Sequence, residues 1–139
     1  METRIKYQPG IPYSLHDMRV EKITCLDHRI TFYFENGYIE CKEPFRRVEG
    51  TLSIENPDYD FCFVYLLGSG SFKSFRGKKM LLKDFIEEYK VFHFEIVDEC
   101  FGYNSVVYNG YLSLPNKTSF IEITITIYHF GDLVYNVKE

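Results

Sequence analysis

From residue 120 to residue 130 the chain alternates with a period of two. Ile121, Ile123, Ile125 and Ile127 occupy one set of positions and Glu122, Thr124, Thr126 and Tyr128 the other. Successive side chains of a strand point to opposite faces, so this segment reads as one strand with an apolar face and a polar one. The period recurs over 48–55, with Val48, Leu52 and Ile54 against Glu49, Thr51, Ser53 and Glu55, and over 91–97, with Phe92, Phe94 and Ile96 against His93 and Glu95. Composition points the same way. Val, Ile, Thr, Phe and Tyr make up 53 of 139 residues, and the chain has no Ala. A helical bundle without the best helix former would be anomalous, whereas these residues suit a pleated, half-buried surface.

Punctuation divides the strands. Asn36-Gly37 predicts a two-residue hairpin turn, because both central positions of a type I′ turn need positive φ. That turn sets Phe34 opposite Ile39 and Phe32 opposite Cys41. Gly131-Asp132 predicts a second such turn, with Tyr128 opposite Tyr135. Residues 1–16, with Pro9, Gly10 and Pro12, read as an extended lead-in, and 103–114 as a long strand rich in Tyr and Val. Residues 59–67 are apolar on both faces after Asp60, as in a central strand covered on both sides or an interface, and 68–79 form a Gly/Ser/Lys-rich loop. Only 80–90 has helical spacing, with Leu81, Leu82, Phe85, Ile86 and Tyr89 on one face. The expected fold is mainly β: an antiparallel β-sandwich or flattened barrel of eight to ten strands with one amphipathic helix near 80–90, in a single domain spanning 1–139.

The net charge of −4 makes nucleic acid an improbable partner, since its binders carry a basic field. Residues 69–90 are the exception, with six basic and three acidic side chains. No run of apolar residues is long enough for a membrane helix, and the N-terminal residues lack an apolar signal core. The four cysteines, Cys25, Cys41, Cys62 and Cys100, form no Cys-x-x-Cys pair and read as free, mostly buried thiols. Cys41 and Cys62 are placed in strands on or near apolar faces. The cytoplasm is the expected compartment.

Three constellations could carry chemistry. His16-Asp17 and His93/Glu95 each place a carboxylate near an imidazole, the pairing that orients a general base. Neighbouring strand residues point apart, so His16 and Asp17 need not meet. His93 and Glu95 share a face but lack the further ligands of a zinc site. His129 continues the isoleucine row, where a hydrogen-bonded core histidine is the plain reading. No metal or cofactor is expected. Lys73, Arg76, Lys78 and Lys79 cluster in the 68–79 loop ahead of the helix, where backbone amides and cations could hold an anion, although the phosphate-loop pattern is not met. Finally, Tyr103, Tyr111, Tyr128 and Tyr135 offer rigid rings with polar tips, which suit an interface.

Ser14-Leu15-His16-Asp17-Met18-Arg19-Val20, followed by Ile30 to Gly37, resembles the opening of small uncharacterised β-rich bacterial proteins. Tyr128-His-Phe-Gly-Asp-Leu-Val-Tyr135 resembles their closing hairpin. The resemblance implies a stand-alone β domain and carries no catalytic residue. The leading functional expectation is a non-enzymatic binding or protein-interaction module of inhibitor or immunity type. The alternatives are a small-molecule-binding barrel and a hydrolytic enzyme using His16 or His93, with Asp17 or Glu95 as orienter. A homodimer is expected through 103–113 and 120–137, with the 120–137 hairpin at a sheet edge and Tyr128 and Tyr135 covered by the second copy.

Overall fold

The computed structural model describes residues 1–5, 11–69, 75–118 and 120–138. Their strands are β1 (Glu2–Ile5), β2 (Tyr13–Ser14), β3 (Arg19–Leu26), β4 (Arg29–Phe34), β5 (Tyr38–Glu40), β6 (Arg47–Val48), β7 (Gly50–Glu55), β8 (Phe63–Ser69), β9 (Phe75–Leu81), β10 (His93–Gly102), β11 (Ser105–Ser113), β12 (Ile121–Tyr128) and β13 (Leu133–Val137). One helix, α1 (Leu82–Glu88), lies between β9 and β10. Ten strands form a single antiparallel sheet in the order β1-β13-β7-β4-β3-β10-β11-β12-β8-β9, and β2-β5-β6 form a small second sheet. The mainly β, antiparallel expectation holds, but the large sheet does not close into a barrel.

The alternating segments bury the faces their sequence marks. Ile123, Ile125 and Ile127 of β12 are buried, as are Leu52 and Ile54 of β7 and Phe94 and Ile96 of β10. A sheet with one apolar face must cover it, and here the sheet covers itself. Strands β4 and β11 are three spacings apart along the sheet, roughly 14 Å. Yet the Phe32 and Tyr108 rings they carry lie 5.2 Å apart, so the sheet bends until its two halves face one another. The bend falls at the β3–β10 junction, where only Val20 with Phe94 and Arg19 with Glu95 are in register. Both strands are bulged beside it, at Val20/Lys22 and at Ile96/Asp98, and bulges sharpen local twist. Helix α1 sends Leu82 and Phe85 into the interior and touches β3, β8 and β9.

Both expected hairpins are corrected. Strand β4 pairs with β3 and β7, whereas β5 pairs with β2 and β6. Asn36-Gly37 is therefore where the chain changes sheets. Gly37 has φ 72°, but Asn36 is not among the positive-φ residues, so no type I′ turn forms. Likewise β12 pairs with β11 and β8, and β13 with β1 and β7. Residues 129–132 cross from one layer to the other. They are sewn to 55–58 by backbone bonds from Gly131 N–H to the Glu55 carbonyl (3.0 Å), from Phe130 N–H to Asn56 (3.0 Å) and from Asp58 N–H to Tyr128 (2.9 Å). Strand β13 is not an edge, because β1 from the expected lead-in covers it. The 68–79 loop is partly the strand β9, and the helix is shorter than 80–90 because Leu81 belongs to that strand. The outer face of β8 is open, with Tyr65 exposed.

A methyl group on Gly37 would sit 1.8 Å from the Val48 carbonyl oxygen. The clash is with backbone, and positive φ adds strain for any L side chain. Gly37→Ala is expected to cost about 2–4 kcal/mol, read as a lower urea midpoint at unchanged slope.

Candidate functional site

The outer face of β10, β11, β12 and β8 gathers most of the expected site residues. Register places Glu95 beside Tyr111 and Tyr111 beside Glu122, and sets Asn109, Thr124 and Tyr65 in the next row. A polar chain crosses this row: Thr124 Oγ1 donates to Asn109 Oδ1 (2.7 Å), and Asn109 Nδ2 donates to Asp98 Oδ1 (2.7 Å). Aromatic side chains flank the chain on either side. At one end Tyr111 and Phe120 lie 6.3 Å apart; at the other Tyr128 meets Phe130 at 5.1 Å and Phe61 at 6.2 Å. All five of these rings are exposed. Strand β12 and its flanks run about 30 Å across this face.

Beside Tyr111 is a cleft of about 170 Å³ lined by Arg19, His93, Glu95, Tyr111, Ser113 and Phe120. Nδ1 of His93 lies 3.4 Å from Glu35 Oε2, whose carboxylate is also 3.6 Å from Arg19 Nε. Glu35, immediately beyond β4, is therefore the carboxylate that approaches His93 Nδ1, where the sequence expected Glu95, although no hydrogen bond joins them. No sequence spacing signals it, because the two residues meet only through the bend at β3. Ser113 is the cross-strand partner of His93.

The other candidates disperse. His16 Nδ1 does pair with Asp17 Oδ2 at 3.1 Å, since Asp17 has φ 64° and the pair sits in a turn rather than a strand. Both side chains are more than 60% exposed and line none of the described cavities. Among the described residues the cationic loop does not converge. Lys73 lies outside them, and Arg76, Lys78 and Lys79 stand on β9. Lys78 and Lys79 point to opposite faces: Lys78 Nζ bonds Glu88 (3.1 Å), and Lys79 Nζ lies 4.1 Å from the Phe63 ring centroid. Of the four interface tyrosines, Tyr111 and Tyr128 are partly exposed on the sheet face, and Tyr103 is exposed in the β10–β11 turn. Tyr135 is corrected. It is 0% exposed, packed 5.1 Å from Tyr13 and 5.8 Å from Tyr38, and has no surface to give to a second copy. His129 is a core histidine as expected. Its Nδ1 lies 2.8 Å from the Gly131 carbonyl, and burial holds its pKa below the usual value.

No group of three or more His, Cys, Asp or Glu suited to a metal ion occurs among the described residues. Within them no helix is long and apolar enough to cross a membrane. Comparison with known proteins finds no matching family model, no matching curated protein and no matching solved structure. The closing segment of the resemblance, 128–135, is a crossover and not a hairpin.

The cysteines divide by exposure. Cys62 is buried and Cys25 half-buried, and burial pushes their thiols up to about 11 and about 12. Cys41 and Cys100 are exposed, which corrects the strand placement of Cys41. Because the thiolate is the reactive form and partial desolvation raises the Cys41 thiol, Ellman's reagent is expected to titrate Cys100 first and Cys41 more slowly in the native protein. Cys25 and Cys62 should react only after denaturation, and Cys100→Ser and Cys41→Ser should remove the faster and the slower native phase.

Proposed function

We propose that this protein is a non-enzymatic interaction module that docks a cationic protein partner on the outer face of β10, β11, β12 and β8. The observation that carries the reading is the placement of the aromatic residues. The buried rings fill the interior against one another, while Tyr111, Phe120, Tyr128, Phe130 and Phe61 lie open on one broad face. Aromatic residues lining a cavity favour a small ligand, and an exposed aromatic patch favours a protein. Glu95, Asp98 and Glu122 stand on that face, with Arg19 and Lys79 on the flanking strands β3 and β9, so the face is acidic by one charge and the complementary surface is basic. A two-fold contact between copies over the same face would set three carboxylates per copy against two cations. This argues for a different partner rather than a second copy.

The test is affinity capture from native lysate followed by reconstitution with the purified partner. A partner with a basic surface is expected, bound more weakly as salt rises. Phe130→Ala with Tyr128→Ala, and separately Glu122→Lys, should each weaken binding at least tenfold. Binding that ignores both changes overturns the reading. So does a stable dimer in light scattering that is dispersed by Tyr128→Lys, or a large rise in melting temperature with a small metabolite.

A second reading rests on the His93 cleft. Ser113 faces His93 across the strand pair, Glu35 lies against His93 Nδ1, and Arg19 adds a cation. These are the parts of a hydrolytic site in which Ser113 Oγ attacks, His93 takes its proton and Glu35 holds the ring. A fluorophosphonate probe should then phosphonylate Ser113 with loss of fluoride, and His93→Ala should abolish the adduct. An unlabelled Ser113 rejects this reading.

A further inference from the structure

At the edge of the core stands a half-buried carboxyl group that the proposed docking face does not use. The bulge at Ile96/Asp98 reverses the alternation of β10. Before it Phe94 and Ile96 point inward; beyond it Asp98 faces out to Asn109 and Glu99 turns inward beside its register partner Tyr108. Glu99 Oε1 is buried without a hydrogen-bond partner, and so are the hydroxyls of Tyr108 on β11 and Tyr135 on β13. Both tyrosines are fully buried, and both act electrostatically with Glu99 and with each other. The lid over this group is the small sheet. Tyr13 of β2 and Tyr38 of β5 pack on Tyr135, the Leu15 backbone N–H is bonded to the Glu99 carboxylate, and Cys41 beyond β5 feels its charge. Three orphaned polar atoms in one buried place are unusual, since buried polar groups nearly always find partners.

We propose that Glu99 is a proton-operated latch between the two sheets. Neutral, its carboxyl stays under the small sheet with the Tyr108 and Tyr135 hydroxyls, which can exchange hydrogen bonds with it directly or through a buried water. Ionised, it is drawn toward water, which it reaches by loosening Tyr13–Leu15 and Cys41 from the large sheet.

The working range follows from burial. Desolvation pushes Glu99 from 4.5 up to about 7, against the lowering effect of the Leu15 N–H. Among the described residues no Lys, Arg or His acts on it. Of the groups around it, Tyr38, Tyr108, Tyr135 and Cys41 are all shifted upward by burial, so they keep their protons through neutral pH. Below pH 4.5 Glu99 is protonated folded or unfolded, and the latch is intact. Between 4.5 and about 7 only the unfolded chain releases the proton, so stability falls as pH rises. Above about 7 the loss is complete. Over those 2.5 units the folding constant falls by up to roughly 300-fold.

The experiment compares the protein with Glu99→Gln from pH 5 to 8, by thermal denaturation and by amide hydrogen exchange. Relative to that of Glu99→Gln, the melting temperature of the unmodified protein should fall by roughly 5–10 °C between pH 5 and 7.5. Protection at residues 13–15 and 38–41 should fall with it in the unmodified protein and not in Glu99→Gln. Parallel pH profiles of the two proteins, or protection at 13–15 and 38–41 that does not change with pH, overturn the latch. If Glu99→Gln does not fold, carbon-13 titration of the Glu99 carboxyl in the unmodified protein decides. A midpoint near neutrality supports the latch, and one near 4.5 overturns it.

Discussion

A ten-stranded sheet with one apolar face has nowhere to put that face except against itself. The contact of Phe32 with Tyr108 is the sign that it does so, and the rest of the molecule is arranged around the bend that allows it. The β3–β10 junction is short and bulged on both strands, so the sheet gives way there. Helix α1 enters the interior from the β9 side with Leu82 and Phe85, and the small sheet adds Tyr13 and Tyr38 to the ring of Tyr135. At one end 55–58 and 128–132 bind the layers together with backbone hydrogen bonds, so neither layer leaves its amides unpaired there.

Bending the sheet inward leaves its convex side to solvent, and that side carries the chemistry. On β10–β12 the side chains that point away from the core are carboxylates, threonines, an asparagine and tyrosines. The Thr124–Asn109–Asp98 chain fixes the direction of the Asn109 amide and ties three strands side to side. The acidic groups stay hydrated and accessible instead of being used up in internal ion pairs. The same bend brings Glu35 to within 3.4 Å of His93, beside a cleft that His93, Glu95 and Ser113 line. The proposed docking face and the cleft adjoin at Tyr111, which belongs to both.

The interior is less complete than the surface. Tyr38 satisfies its hydroxyl on the Thr51 carbonyl at 2.9 Å, and Gly50 makes room for it, since a methyl group there would lie 2.5 Å from that oxygen. Tyr108, Tyr135 and Glu99 have no such arrangement. Among the described residues no cation acts on Glu99, and desolvation raises its pKa more than one amide lowers it. The consequence is a core whose polar part responds to pH while its apolar part does not.

The strands were legible because burial on one face enforces a period of two. Within 120–130, 48–55 and 91–97, Ile123, Ile125, Ile127, Leu52, Ile54, Phe92, Phe94 and Ile96 are buried as the pattern marks. But 48–55 is split between β6 of the small sheet and β7, and Ser53 is buried on the side marked polar; Leu82 and Phe85 bury the helical face. Strand partners were not legible. Asn36-Gly37 and Gly131-Asp132 look like tight turns, yet both are crossings, because a strand's neighbours depend on which edges are already taken and not on local turn chemistry. The exposure of Tyr128 against the burial of Tyr135 follows from that alone. The inward turn of Glu99 depends on a one-residue bulge, which flips every later side chain of β10 and leaves no mark in composition. Sequence by itself determined a β-rich chain, its apolar faces and the short helix, since those follow from periodicity. The partners of each strand, the meeting of His93 with Glu35 and the burial of Glu99 were decided only when the sheet bent on itself, since each joins residues that are distant along the chain.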